Sequence, residues 1–130
     1  MQSTSNLEVA GVARKLALMV YRATSRFPSS ERYGMVAQMR RAAVSIGSNI
    51  AEGCGRHGDR ALISFFQIAM GSASELEFQI ELSIDLTLIS DVDAETVLTE
   101  SRRVKRMLAG LLASLRKQVA MCDATMRRDR

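Results

Sequence analysis

Proline, cysteine, histidine and tryptophan are scarce in this chain: of 130 residues, one is Pro, two are Cys, one is His and none is Trp. A single proline argues against a loop-rich or all-β chain, whose turns draw on more breakers. Two cysteines, Cys54 and Cys122, build no disulfide framework, and a reducing cytoplasm is the expected compartment. With His57 as the only histidine, no His-based acid–base relay assembles within one subunit. No serine sits in a nucleophile elbow or beside a plausible base, so the reading is of a non-enzyme without catalytic residues. No apolar run approaches the roughly 18 residues of a membrane-spanning helix. The opening residues 1–6 lack the basic start and apolar core of a secretory signal.

What is present is ordinary for a globular protein: 47% hydrophobic and 25% charged residues, with a length that implies one domain over 1–130. The charges are sorted along the chain. Residues 1–60 hold nine Lys/Arg and four Asp/Glu; residues 61–100 hold eight acids and no base; residues 101–130 hold nine bases and two acids. Either acidic and basic elements pack side by side, or the basic surfaces attract a polyanion such as RNA or DNA.

Four segments carry helical period and none alternates as a strand does. The first helix spans about 6–26, with Asn6 as N-cap and Val9, Ala13, Leu16, Val20 and Ala23 on one stripe; Phe27-Pro28 ends it. The second spans about 30–53, with Val36, Met39, Ala43, Ile46 and Ile50 facing inward. Asp59 is the expected N-cap of a third helix over 59–89, whose stripe from Leu62 to Leu88 is wide enough for more than one neighbour. The fourth covers about 93–122, leaving residues 123–130 as a basic tail. Long helices joined by short connections predict an all-α, antiparallel up-down-up-down four-helix bundle.

Gly53-Cys54-Gly55-Arg56-His57-Gly58 matches the dinucleotide pattern GxGxxG, but a helix precedes it where that fingerprint needs a strand. It reads as a helix C-terminus and loop, and no cofactor is expected. Cys54 and His57 have C-x-x-H spacing, yet only Cys122 remains as a further soft ligand for a structural zinc, so no metal is expected.

Charges at interior-looking positions are more informative. Arg40 or Arg41 of the second helix is expected to meet Glu75 or Glu77 of the third, because a buried charge is costly unless paired. Leu18 on the polar face of the first helix, and Gly110, Ala113 and Ala120 on the outer face of the fourth, make a candidate subunit interface. Eight methionines suit adaptable packing surfaces.

The second helix also carries a resemblance. Phe27-Pro28, Glu31-Arg32-Tyr33-Gly34, Gln38 to Ile46 (QMRRAAVSI) and Ser48 to Gly53 (SNIAEG), followed by Phe65, Ile68 to Ser72 and Glu75-Leu76, resemble the four-helix bundle proteins of the 23S rRNA intervening-sequence family. The likeness spans roughly residues 7 to 120. This sequence departs from the usual pattern at Gly47, where a proline is common, and at Cys54, often aromatic or apolar. The resemblance implies a small bacterial protein assembled as a ring-shaped homopentamer. The accessory variability determinant of diversity-generating retroelements, a basic pentamer that binds nucleic acid and a reverse transcriptase, is similar. An oligomeric scaffold binding structured RNA or DNA is therefore expected, with Arg40, Arg41, Arg56, Arg102, Arg103 and Arg106 as candidate contacts. The alternative is an interaction module that partners a nucleic-acid enzyme.

Overall fold

A computed structural model describes residues 3–129 and shows four α-helices, one 3-10 turn and no strand among them. Met1, Gln2 and Arg130, the ends of the expected domain and tail, lie outside the described residues. Helix α1 (Thr4–Thr24) starts two residues before the expected 6, because the Ser3 hydroxyl accepts the Asn6 N–H at 3.1 Å. Ser3 rather than Asn6 is thus the N-cap. Its other end is closed by hydroxyls: Thr24 donates to the Val20 carbonyl at 2.7 Å and Ser25 to the Arg22 carbonyl at 2.6 Å.

Phe27 is buried in the turn that follows, and Ser29–Glu31 form the 3-10 turn. Helix α2 (Met35–Gly55) begins five residues later than expected. The cause is local: Gly34 sits at φ −104°, ψ −107°, outside the helical well, and the Glu31 carboxylate accepts the Met35 N–H at 3.3 Å. Helix α3 (Asp59–Asp85) opens after Gly58, which takes φ 93°. That positive φ makes Gly58 the cap and moves Asp59 into the first turn, where its charge is stabilised by the positive end of the helix dipole.

The expected helix to Ile89 stops at Asp85. Thr87 lies at φ 56°, its N–H bonds the Ile84 carbonyl at 3.0 Å, and the Leu88 N–H bonds the Ser83 carbonyl at 2.9 Å. These two bonds around a left-handed residue form a Schellman motif. Helix α4 (Asp91–Arg128) is capped by Ser90, whose hydroxyl accepts the Asp93 N–H at 3.1 Å. It continues helically through most of the expected tail. At 38 residues it is about 57 Å long against about 40 Å for α3, and its last buried residue is Leu115. The C-terminal third of α4 therefore runs past the buried core and meets the bundle at the start of α3.

Each helix packs on its chain neighbours, and α1 closes the bundle against α4. Two ion pairs fix the directions. Arg26 at the end of α1 meets Asp93 at the start of α4, and Arg60 at the start of α3 meets Asp123 late in α4. Leu16, Met39, Ile46, Phe66, Leu76 and Leu108 form the centre of the core, each fully buried. The stripes read from periodicity in the first two helices are buried throughout, and that of α3 is buried at Leu62, Phe66, Ala69, Ala73, Leu76 and Ile80, with Leu88 half-buried beyond the helix.

Candidate nucleic-acid interface

The structure pairs neither Arg40 nor Arg41 with Glu75 or Glu77. Arg40 is half-buried and turns toward α1: its Nε donates to Thr24 Oγ1 at 3.0 Å, and Nη2 donates to the Tyr21 carbonyl at 3.3 Å. The guanidinium also lies over the Tyr21 ring, 4.5 Å from its centroid. The reason is rotational. Arg40 lies on the α1 flank of α2, so the carbonyls in the last turn of α1 are within reach and α3 is not. These carbonyls carry the negative end of the α1 dipole, which favours a cation there. Arg41 is exposed and donates to Gln38 on its own helix. Glu75 is likewise exposed and accepts from Gln79 at 3.1 Å.

Glu77 finds its partners on α4 instead. Arg102 and Lys105 both approach it at 3.5 Å, linking the acidic α3 to the basic α4. Arg103 pairs with Glu100 at 3.2 Å and Arg56 with Glu52 at 2.6 Å, each within one helix. Glu100 is the buried carboxylate that the sequence reading missed; its place between Val97 and Val104 on the apolar stripe is the signal that could have found it.

The six candidate contacts thus divide. Arg56, Arg102 and Arg103 are each beside a carboxylate, whereas Arg40, Arg41 and Arg106 have none within ion-pair distance among the described residues. Arg14, Lys15, Arg22 and Arg32 belong with the second group. Between residues 14 and 41 seven bases face one acid, Glu31, which accepts the Met35 N–H; of the seven, only Arg26 has a carboxylate partner among the described residues. The α1–α2 layer and the outer face of α4 are therefore positive, while α3 and the start of α4 are negative.

Leu18 (52% exposed), Gly110, Ala113 and Ala120 are all at the surface. A groove of about 540 Å³ runs between α1 and α2, lined by Leu7, Ala10, Ala17, Val44, Gly47 and Ala51 among others. The sequence reading passed over it. Its signal was the small-residue run Ala43, Gly47 and Ala51 at intervals of four, which lets α1 approach closely: a Cβ at Gly47 would lie 3.9 Å from Ala13 Cβ.

The GxGxxG string runs from the end of α2 through the loop to Gly58, the cap of α3, rather than over a strand–helix turn. Gly53 is buried, and a Cβ there would lie 2.9 Å from Phe65 Cβ. His57 and Cys122 line a second cleft of about 400 Å³ with Asp59, Arg60 and Asp123, away from Cys54. Arg60 holds Asp123 there through two contacts of 2.7 Å, which raise the guanidinium pKa further. Among the described residues no group of three or more His, Cys, Asp or Glu side chains is placed to hold a metal ion. Nor is any described helix long and apolar enough to cross a membrane.

Among solved structures, the chain is similar to a protein of unknown function from the S23 ribosomal protein family of Bacteroides thetaiotaomicron. The two superpose with a TM-score of 0.79 at 22% identity, over 85% of this chain and 99% of that one. At that identity the likeness speaks to the fold alone. A search of curated proteins finds no match. The family model of the 23S rRNA-intervening sequence proteins matches residues 5–110, most of the bundle, and the chain belongs to that family.

Proposed function

We propose that this chain is a non-enzymatic, oligomeric scaffold that binds structured RNA or DNA through the basic α1–α2 layer and the outer face of α4. One observation carries the reading. Arg22, Arg32, Arg40, Arg41 and Arg106 have no carboxylate partner among the described residues, whereas the bases opposite α3 do. Charge sorted only for packing would be neutralised across the helix interfaces, as it is at Glu77. Charge left over on one layer raises the potential outside it and attracts phosphates.

Oligomerisation would multiply that potential by repeating the layer around an axis. The exposed Leu18 and the groove between α1 and α2 support a homo-oligomer, with five subunits expected from the family resemblance. Light scattering of the full chain at micromolar concentration tests assembly: about five chain masses is the expected result, and a monomer across that range contradicts it. Filter retention of a short structured RNA tests binding, which should fall steeply with salt and show little sequence preference, since only two Tyr and four Phe are available for stacking. A chain that retains no RNA even at low salt favours the other reading, in which the α1–α2 groove seats a helix of a partner enzyme such as a reverse transcriptase.

A further inference from the structure

A cleft of about 280 Å³ opens where the end of α1, the 3-10 turn and the start of α2 meet, and both Arg32 and Arg40 line it. Arg40 is held before any ligand arrives: the Thr24 hydroxyl, the Tyr21 carbonyl and the Tyr21 ring fix the plane of its guanidinium. Those contacts use Nε and one N–H of Nη2. The Nη1 edge has no acceptor among the described residues. Arg32 is exposed and has no side-chain partner among the described residues, and neither has the hydroxyl of Ser29, which also lines the cleft. Glu31, the nearest acid in sequence, points to the Met35 N–H instead. Phe27, Pro28 and Val36 form an apolar wall, which strengthens charge interactions beside it.

We infer that this cleft is a seat for one phosphate group of a bound nucleic-acid strand, gripped by Arg32 and Arg40 with Ser29 as a third donor. The inference rests on the nucleic-acid reading above and gives that reading an anchor. Planar guanidinium forks match phosphate oxygens, and a fork already immobilised loses less entropy on binding. Phe27 is buried and offers no face for a base, so the cleft grips the backbone without reading sequence.

The test has two arms on the full-length protein. In the first, inorganic phosphate is titrated at constant ionic strength while the arginine Nε resonances are followed by NMR. The Arg32 and Arg40 signals should move together and saturate, with chloride producing no such change. In the second, binding of one short structured RNA, with and without a 5′-phosphate, is measured against salt for the parent, Arg32→Gln and Arg40→Lys. Each variant should bind about three- to tenfold more weakly; the log–log salt slope should fall by about 0.7 in Arg32→Gln, which removes a charge, and stay at the parent's value in Arg40→Lys, which keeps one and loses only the planar fork. A 5′-phosphate effect lost in Arg32→Gln assigns the seat to a strand end; equal loss with both RNAs assigns it to an internal phosphodiester. Saturable phosphate shifts without RNA binding support the seat and overturn the nucleic-acid reading. Unmoved resonances, or an unchanged affinity and slope in Arg32→Gln, overturn the seat even if RNA binds.

Discussion

At Arg40 the expected partner was a carboxylate and the observed ones are a hydroxyl, a carbonyl and an aromatic ring, which changes the predicted energetics. Removing one member of a buried ion pair leaves an uncompensated charge and costs roughly 3–5 kcal/mol. The observed contacts amount to one charged hydrogen-bond group and one stacked cation at a half-buried site, so Arg40→Ala should cost about 2 kcal/mol in denaturant unfolding. Thr24→Val should cost about 1–2 kcal/mol by the same measurement, because it strips the Nε acceptor from Arg40. The cysteines differ for a simpler reason. Burial pushes the Cys54 thiol pKa up, which keeps it protonated at neutral pH, whereas Cys122 is exposed. A thiol reagent at neutral pH should therefore label Cys122 first, as peptide mapping of a partial reaction will show.

Within the helices, the interior was legible and the ends were not. Stripes such as Val9-Ala13-Leu16-Val20 depend on the 3.6-residue period, which the sequence carries directly. Ends depend on single hydrogen bonds: Ser3 in place of Asn6, Glu31 reaching Met35, and the bonds around Thr87. Leu86 to Ile89 look helical because they are apolar, yet Leu88 and Ile89 face the core from a non-helical turn. Thr87 is the one non-glycine residue at positive φ among those described, a conformation costing about 1–2 kcal/mol for an L side chain. Thr87→Gly should consequently raise the unfolding midpoint, by up to about 1 kcal/mol of stability. Gly53 shows the opposite. It reads as a helix breaker, but it lies inside α2 and lets α3 approach, so Gly53→Ala should destabilise by about 1–3 kcal/mol as Phe65 is pushed aside.

Across the whole molecule, the charge blocks of the sequence become a division between layers. The acidic stretch 61–100 forms α3 and the start of α4, and Glu77 binds α4 bases across that interface. The basic stretch 14–41 forms α1, the turn and the start of α2, where few acids answer it. Counting charges could not separate the bases consumed by packing from those left over, because that depends on which flank of each helix a residue occupies. Arg102 and Arg103 were as plausible from sequence as Arg32, which the sequence reading did not single out. The central claim is that arginines without carboxylate partners carry nucleic-acid binding. It is tested by fluorescence anisotropy of a structured RNA across a salt series, comparing the parent with Arg22/Arg32/Arg41→Ala and with Arg56/Arg102/Arg103→Ala. The account predicts that the first triple variant binds at least about tenfold more weakly with a log–log slope reduced by about 2–3, and that the second stays close to the parent. Equal losses in the two variants, or no binding by the parent at low salt, would contradict it.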